Sequence, residues 1–209
     1  MRGLNETVLV LAAAAGASYC VFGSHAPNQP LLAAWKGAGV ALLALWTLLR
    51  VGSTSGRWIA LVLALGALGD VLIAVVEPIA AALAFSAGHL VATWLYLRNR
   101  RARLEFAFPI AVAIAVTAWL LPADRGMAMG AALYALGLGA MTGTAFNSRY
   151  PRAFVGLGAL LFAASDLLIF ARMGPLRDSL LSGVAIWSLY FTGQLLIAVG
   201  VVQAETAEP

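Results

Sequence analysis

Long apolar stretches dominate the chain, and short breaks rich in glycine, proline and charged residues separate them. A helix that crosses a bilayer needs about 20 mostly apolar residues, and the breaks divide the sequence into eight stretches near that length. The pattern predicts an all-α integral membrane protein, a bundle of eight transmembrane helices. The predicted spans cover residues 5–22, 30–50, 57–76, 78–97, 104–121, 127–146, 152–172 and 179–202.

The breaks between the predicted spans are too short to hold a soluble domain. They include "GSHAPNQP", "VGSTSG", "RNRRAR" and "NSRYP", in which proline and glycine are the usual punctuation between helices. Successive spans are therefore expected to pack antiparallel. Residues 1–209 are expected to form a single transmembrane domain.

Composition excludes the soluble globular class. Of the 209 residues, 62% are hydrophobic and 11% are charged, and a soluble protein of this size could not bury so much apolar surface. Cys20 is the only cysteine, which excludes an internal disulfide and argues against a cysteine metal site. The net charge is +4; in a membrane protein such an excess usually encodes orientation, so no nucleic-acid partner is expected.

Arginines are distributed unequally between the two ends of the predicted spans. With an even number of spans both termini lie on one side, which collects nine arginines against three on the other. Because cytoplasmic loops carry the excess of basic residues, both termini are expected in the cytoplasm. The nine are Arg2, Arg50, Arg57, Arg98, Arg100, Arg101, Arg103, Arg149 and Arg152, and the three are Arg125, Arg172 and Arg177.

The two halves of the chain show an internal similarity. "LGALGDVLIA" in the third span resembles "LLFAASDLLIF" in the seventh, and "SAGHLVATWL" in the fourth resembles "FTGQLLIAVG" in the eighth. Because the matched segments are four spans apart, the bundle is predicted to contain two four-helix halves of parallel orientation.

Three ionisable side chains interrupt the apolar spans at one common depth. Lys36, Asp70 and Asp166 each lie about six residues below the outer end of their spans, which places each roughly 9 Å below that boundary. Such a group at a span centre costs about 2.5–3.5 kcal/mol on insertion scales, so their presence needs a reason. They predict one polar pocket that opens towards the outer leaflet.

Four further polar side chains are candidates to support this pocket. His89 and Tyr190 each lie about eleven residues into their spans, near the midplane. Gln194 follows Tyr190 by one helical turn and shares its face, and Tyr134 lies in the sixth span. All four also have a purely structural reading, since hydrogen bonds between helices hold membrane bundles together without any chemistry.

The charged residues have structural alternatives too. Asp70 and Asp166 could serve only as partners that Lys36 needs in order to be buried. Lys36 alone is near enough to the predicted boundary to extend its ammonium group to the interface. On the sequence alone, these structural explanations remain open alongside a catalytic role for the three residues.

Two carboxylates in one low-dielectric pocket do not both ionise easily, because desolvation and mutual repulsion oppose the second charge. Lys36 would favour ionisation of the aspartate that it pairs with. The expected result is one protonated acid and one anionic base, the pair that general acid–base hydrolysis uses. His25 and His89 are the only histidines and cannot form a histidine-rich zinc site, and a site made of His89, Asp70 and Asp166 would lack the usual ligand spacing. No metal and no cofactor are therefore expected.

Several motifs together carry a resemblance to a known family. In order along the chain they are "WKG", "GDVLI", "FSAGHLVATWLY", "GALLFAASDLLI" and "YFTGQLLIAVG". This set resembles the YhhN-type lysoplasmalogenase family, which includes the animal transmembrane lysoplasmalogenases. The likeness extends from the second predicted span to the eighth, and the first span carries little of it.

The resemblance implies an integral membrane enzyme of the bacterial cell (inner) membrane. Its substrate would be a lysoplasmalogen, whose vinyl ether bond is hydrolysed to a fatty aldehyde and glycerophosphoethanolamine or glycerophosphocholine. Its partners would be this lysophospholipid and the lipid bilayer. Asp70 and Asp166 match the family's proposed catalytic aspartates, and the supporting residues would be Lys36, His89, Tyr134, Tyr190 and Gln194.

Two other classes of function remain open on the sequence alone. A proton-coupled membrane transporter would also use intramembrane aspartates and paired halves, although the charged residues lie near one face of the membrane. A lipid-binding or assembly protein without catalysis would need the aspartates only for stability.

Overall fold

The computed structural model describes residues 2–23, 29–101, 103–105, 107–177, 179 and 182–207. Within these ranges the chain is helical, and one π-helical turn, Arg152–Gly156, leads into the seventh α-helix. The helices are α1 (Arg2–Phe22), α2 (Gln29–Arg50), α3 (Thr54–Val75), α4 (Pro78–Arg98), α5 (Ala107–Leu120), α6 (Arg125–Asn147), α7 (Leu157–Arg172) and α8 (Ser182–Ala207).

Seven segments of the described chain are long and apolar enough to cross a membrane. Their outward side chains are apolar as well: Ile79, Phe108 and Leu133 are 68%, 76% and 65% exposed. Hydrocarbon tolerates such a surface, whereas water would drive it to aggregate. The prediction of an all-α, multi-pass membrane protein is therefore confirmed.

The fifth predicted span is shorter in the structure than in the sequence analysis. Helix α5 has 14 residues, from Ala107 to Leu120, and at ~1.5 Å per residue it measures about 21 Å. A hydrocarbon core is about 30 Å thick. The count of eight spans thus remains a prediction, because α5 is shorter than the hydrocarbon core is thick.

Capping residues explain why two helices begin upstream of the predicted spans. The Ser53 side chain accepts a hydrogen bond of 3.1 Å from the Gly56 amide, so α3 begins at Thr54. The Asp124 carboxylate accepts one of 2.8 Å from the Gly126 amide, so α6 begins at Arg125. Such caps satisfy amides that the first helical turn leaves without partners.

The described chain packs as two compact units. Unit 1 comprises Met1–Leu95 and Ala198–Pro209, and unit 2 comprises Tyr96–Ile197. The boundaries fall within α4 and α8, so the units correspond largely to the first four and the last four predicted spans. Their parallel orientation remains a prediction.

Unit 1 is held together by close approach at small residues. A Cβ added at Gly37 on α2 would lie 2.8 Å from Val71 Cγ2 on α3. A Cβ added at Gly69 on α3 would lie 2.7 Å from the ring of Phe85 on α4. Small residues let helix backbones approach closely where lipid supplies no hydrophobic drive between helices.

Unit 2 packs by the same principle, more tightly. A Cβ at Gly139 on α6 would lie 2.6 Å from Ala111 Cα on α5. On α7 and α8 the contact is reciprocal: a Cβ at Gly158 would meet the Gly193 carbonyl oxygen at 2.7 Å, and one at Gly193 would meet the Gly158 carbonyl oxygen at 2.6 Å. These helices therefore touch backbone to backbone.

We expect Gly158→Ala to destabilise the protein by about 1–3 kcal/mol, because the added methyl group forces two backbones apart. The matched control is Gly130→Ala on α6, where a Cβ would meet nothing within 4 Å. Thermal melting in detergent measures both. Equal melting temperatures for the two variants would contradict the close contact.

Candidate active site

Asp166 is the best-defined polar group of unit 2. It lies on α7 and is 6% exposed. The Tyr134 hydroxyl of α6 donates a hydrogen bond of 2.5 Å to Asp166 Oδ2. The Tyr134 ring also packs edge-on against Phe170, one turn along α7, with centroids 6.0 Å apart. Ring and hydroxyl together give the carboxylate a fixed position.

The residue before Asp166 attaches α7 to α8. The Ser165 hydroxyl donates a hydrogen bond of 2.9 Å to the Ile186 carbonyl oxygen, and Ser165 is 1% exposed. Because Ser165 and Asp166 point some 100° apart around the helix, one contacts α8 and the other reaches α6. The sequence Ser-Asp therefore serves two neighbouring helices at once.

Tyr190 and Gln194 lie deeper in unit 2 than Asp166. Phe162, one turn before Asp166 on α7, packs edge-on against Tyr190 with centroids 5.0 Å apart. Gln194 Nε2 donates a long hydrogen bond of 3.4 Å to the Tyr190 hydroxyl. Gln194 is 1% exposed, and its Oε1 atom has no hydrogen-bond partner among the described residues. This carbonyl oxygen is an acceptor that water or a polar group of a ligand could use.

In unit 1 the crossing of α2 and α3 brings Lys36 and Asp70 to the same height. Gly37 and Val71 are in close contact across these helices, and they are the residues that immediately follow Lys36 and Asp70. Asp70 is 2% exposed, whereas Lys36 is half-buried. The flexible side chain of Lys36 and the buried carboxylate of Asp70 thus lie on adjacent helices at the same level.

Tyr19 on α1 belongs to the surroundings of Asp70, and the sequence analysis missed it. Asp70 and the Tyr19 hydroxyl are near enough for an electrostatic interaction between them. The Tyr19 ring lies edge-on to Trp35 at 6.2 Å, and Trp35 Nε1 donates a hydrogen bond of 3.1 Å to the Ser18 hydroxyl. The available signal was depth: Ser18 and Tyr19 lie within about a turn of the end of α1, near the level expected for Asp70.

His89 lies apart from this level. It is in the middle of α4 and is 2% exposed. Its neighbour Gly88 approaches Leu65 and Val62 on α3, each at 3.6 Å from an added Cβ. Those residues precede Asp70 by more than one turn, so His89 is deeper in unit 1 than the aspartate.

The two units thus use similar chemistry. Each buries one aspartate of a membrane-crossing segment, and in each a tyrosine from a neighbouring helix lies near it: Tyr19 for Asp70 and Tyr134 for Asp166. Within the described ranges, no three His, Cys, Asp or Glu side chains are grouped as a metal site would require. His25, considered above as a metal ligand, lies outside those ranges.

These features define a multi-pass helical membrane protein with carboxylates buried in its apolar interior. Comparison with known sequences then gives the family. The model of the YhhN family matches residues 31–201, so the chain belongs to the YhhN family. The match begins after the first helix, in agreement with the motifs that carried the resemblance, and it includes both aspartates.

Two curated relatives, from Mycobacterium bovis and Mycobacterium tuberculosis, are each named lysoplasmalogenase. Each is 29% identical to this chain over 211 aligned residues, which cover 95% of this chain and 78% of the relative. No solved structure matches the chain significantly.

We expect Tyr134→Phe to lower the free energy of unfolding by about 1.5–3 kcal/mol, because it removes a hydrogen bond to the buried Asp166 carboxylate. Tyr96→Phe is the matched control. The Tyr96 hydroxyl is fully buried but has no hydrogen-bond partner among the described residues, so its loss should cost little. Unfolding of both variants in a denaturing detergent titration gives the comparison, and similar losses would show that the Asp166 hydrogen bond contributes nothing.

Proposed function

We propose that this protein is a lysoplasmalogenase, a membrane hydrolase that cleaves the vinyl ether bond of lysoplasmalogens. The observation that carries the proposal is Asp166, a carboxylate buried in a membrane-crossing helix and held by the Tyr134 hydroxyl, in a chain whose family relatives bear this name. The substrate is itself a membrane lipid, so an enzyme within the bilayer meets it without extracting it.

Hydrolysis of a vinyl ether needs an acid and then a base. A proton adds to the β-carbon of the double bond, and the electron pair of the ether oxygen stabilises the oxocarbenium ion that results. Water adds to this cation and loses a proton, which gives a hemiacetal. The hemiacetal breaks its bond to the glycerol oxygen, which takes up a proton, and releases the fatty aldehyde. The net change is the addition of one water molecule, with no redox step.

Asp70 and Asp166 are the proposed acid–base pair. One aspartic acid donates the proton to carbon, and the other, as a carboxylate, stabilises the cation and then takes a proton from water. Glycoside hydrolases divide the work between two carboxyl groups in the same way, and they too pass through an oxocarbenium-like state. The Tyr134 hydroxyl positions Asp166 for whichever part it takes.

The supporting residues have proposed parts of their own. Lys36, level with Asp70, sets the proton count of the aspartates or approaches the phosphate of the substrate. His89, Tyr190 and Gln194 lie deeper and hold water or the polar part of the lipid; the Gln194 Oε1 atom, which lacks a partner among the described residues, supports this. The alkenyl chain lies among the apolar side chains between helices.

Arginines at the outer end of unit 2 are proposed to receive the phosphate of the headgroup. Arg125 is engaged already, since its guanidinium donates to the Trp119 carbonyl oxygen at 2.9 Å and lies over the Trp119 ring. Arg172 and Arg177 are exposed. Arg172 lies six residues beyond Asp166 on α7, about 9 Å along the helix axis, a distance similar to that between the vinyl carbon and the phosphate in an extended lysoplasmalogen.

We further propose that α5 is an eighth span, that both termini are cytoplasmic, and that the protein resides in the bacterial inner membrane. The excess of arginine on the side of the termini supports this orientation. Local thinning of the bilayer and the flanking residues can accommodate a helix shorter than the hydrocarbon thickness.

Purified protein should release fatty aldehyde from a lysoplasmalogen in detergent micelles. Asp70→Asn and Asp166→Asn should each reduce this release by roughly 10²–10⁴-fold, the usual contribution of a general acid or base. Asp124→Asn is the matched control, because Asp124 caps α6 in a loop and asparagine caps as well. Aldehyde is quantified with a coupled dehydrogenase, and circular dichroism verifies that each variant is folded.

Two results would count against this proposal. Full activity in both aspartate variants would reject the acid–base pair. Solute uptake into proteoliposomes that depends on a pH gradient, without any aldehyde, would favour the transporter instead; neither the family nor the named relatives favours that reading.

Reporter tags at the two termini test the topology. In intact cells a protease or an impermeant reagent should reach neither tag, because eight spans return the chain to the cytoplasmic side. The Arg101→Cys variant, made together with Cys20→Ala so that it carries one cysteine, should react with an impermeant maleimide only after the membrane is permeabilised. Accessibility of one terminus alone would indicate seven spans and leave α5 outside the hydrocarbon core.

A further inference from the structure

Unit 2 carries a dense cluster of arginines at the end opposite to Asp166. Two segments contribute to it: the turn after α4 and the turn between α6 and the π-helical turn. Glu105 is the only acidic residue in residues 98–106 and 147–152. We name this cluster the arginine platform; it consists of Arg98, Arg100, Arg101, Arg103, Arg149 and Arg152.

A short antiparallel bridge joins the two segments. The Arg149 amide donates to the Asn99 carbonyl oxygen at 2.7 Å, and the Arg101 amide donates to the Asn147 carbonyl oxygen at 2.9 Å. Arg100 and Ser148 form the bridged pair between them. Loops at helix ends do not need such pairing, so the bridge gives the platform a backbone of defined geometry.

Side chains beneath the bridge fix individual guanidinium groups. Arg149 Nε donates to Asn99 Oδ1 at 2.9 Å, and its guanidinium lies 5.2 Å from the ring centre of Tyr150. Arg152 Nε donates to the Phe146 carbonyl oxygen at 2.9 Å. Tyr150 in turn is buried and packs edge-on against Tyr96. Two of the arginines are therefore held in place before any ligand arrives.

Orientation in the membrane does not account for this order. The positive-inside bias depends on how many basic residues a loop carries, not on where their side chains point. Arg103 illustrates a residue that contributes only its charge. Its side chain is 91% exposed, and its Nη1 atom lies 3.9 Å from Oε1 of Glu105, whose side chain is 65% exposed. In Arg149 and Arg152 the Nε–H group instead donates to the protein itself, which holds each guanidinium in place, and this planar cation is the group that best matches phosphate oxygens.

We propose that the arginine platform binds the phosphate group of an anionic phospholipid of the surrounding membrane. The platform lies where α4 and α6 end and where the turn into α7 begins, which is the level of lipid headgroups for helices that cross the bilayer. Arg152 and Asp166 are 14 residues apart, about 21 Å along the helix axis. The lipid site is thus separate from the candidate active site and does not depend on the proposed hydrolase activity.

The test measures binding of phosphatidylglycerol to the full-length protein in neutral detergent, by native mass spectrometry and by the shift in melting temperature. Phosphatidylcholine is the zwitterionic reference, and glycerol phosphate is the soluble one. The wild type should retain phosphatidylglycerol at saturable stoichiometry. At roughly fivefold per arginine near an anionic surface, Arg149→Gln with Arg152→Gln should weaken binding about 25-fold.

The matched control is Arg50→Gln with Arg57→Gln. It removes the same charge from the ends of α2 and α3 that flank their connecting loop, where both arginines are exposed, and it should leave binding within about twofold. Arg149→Lys is the sharper variant, because it keeps the charge and removes the fork; we expect about a fivefold loss. Should the double platform variant fail to fold, Arg149→Lys decides the matter alone.

Three outcomes would overturn the lipid site. The first is equal retention of phosphatidylcholine and phosphatidylglycerol. The second is an equal effect of the platform and control variants, or no effect of Arg149→Lys, either of which would reduce the platform to an unspecific surface charge. The third is competition by glycerol phosphate at the same concentrations as phosphatidylglycerol, which would make the ligand a soluble phosphate.

Discussion

Hydrocarbon offers no partner to a polar group, and this constraint governs the interior of the protein. A carboxylate, a hydroxyl or an amide buried between membrane helices must find its hydrogen bonds in other parts of the chain. Asp166 receives one from Tyr134, Ser165 donates to the carbonyl oxygen of Ile186 on α8, and the Thr142 hydroxyl of α6 donates to the carbonyl oxygen of Ala159 on α7 at 3.3 Å. Each such bond also fixes how two helices face each other, so the polar residues serve as both site and scaffold.

Small residues allow those polar contacts to form. Gly158 and Gly193 bring α7 and α8 to backbone contact, which places Ser165 within hydrogen-bond distance of α8. Gly37 does the same for α2 and α3 and sets Lys36 level with Asp70. In a soluble bundle large apolar side chains would fill these interfaces, but in lipid the close approach of backbones replaces the missing hydrophobic drive.

Unit 2 separates two kinds of chemistry along its length. Near one end lies a buried carboxylate with a hydroxyl donor, suited to proton transfer in a dry environment. At the other end lie arginines ordered by a backbone bridge and by Tyr150, suited to an anionic headgroup. If both proposals hold, the protein meets lipid twice, as a substrate at one end and as a bound neighbour at the other.

Hydropathy along the chain predicted the class of the protein and eight spans, of which seven are long and apolar enough in the structure to cross a membrane, and it singled out the aspartates within them. Hydropathy is a local property, and in a bilayer it decides which segments become helices, so reading it along the chain was enough. The motifs around Asp70, His89, Asp166 and Gln194 were also local and sufficed for the family. The partners of the polar groups became visible only in the folded protein: Tyr134 for Asp166, Tyr19 near Asp70, and the backbone bridge that orders Arg149.

Those partners come from other helices, and their facing directions depend on crossing points that glycine contacts set. The sequence did not predict the length of α5 either, because the predicted span, residues 104–121, is longer than the helix Ala107–Leu120. Hydropathy reports which residues tolerate lipid. It does not report where a helix starts or which neighbour its polar side chain meets, because both depend on backbone contacts between segments distant in the chain.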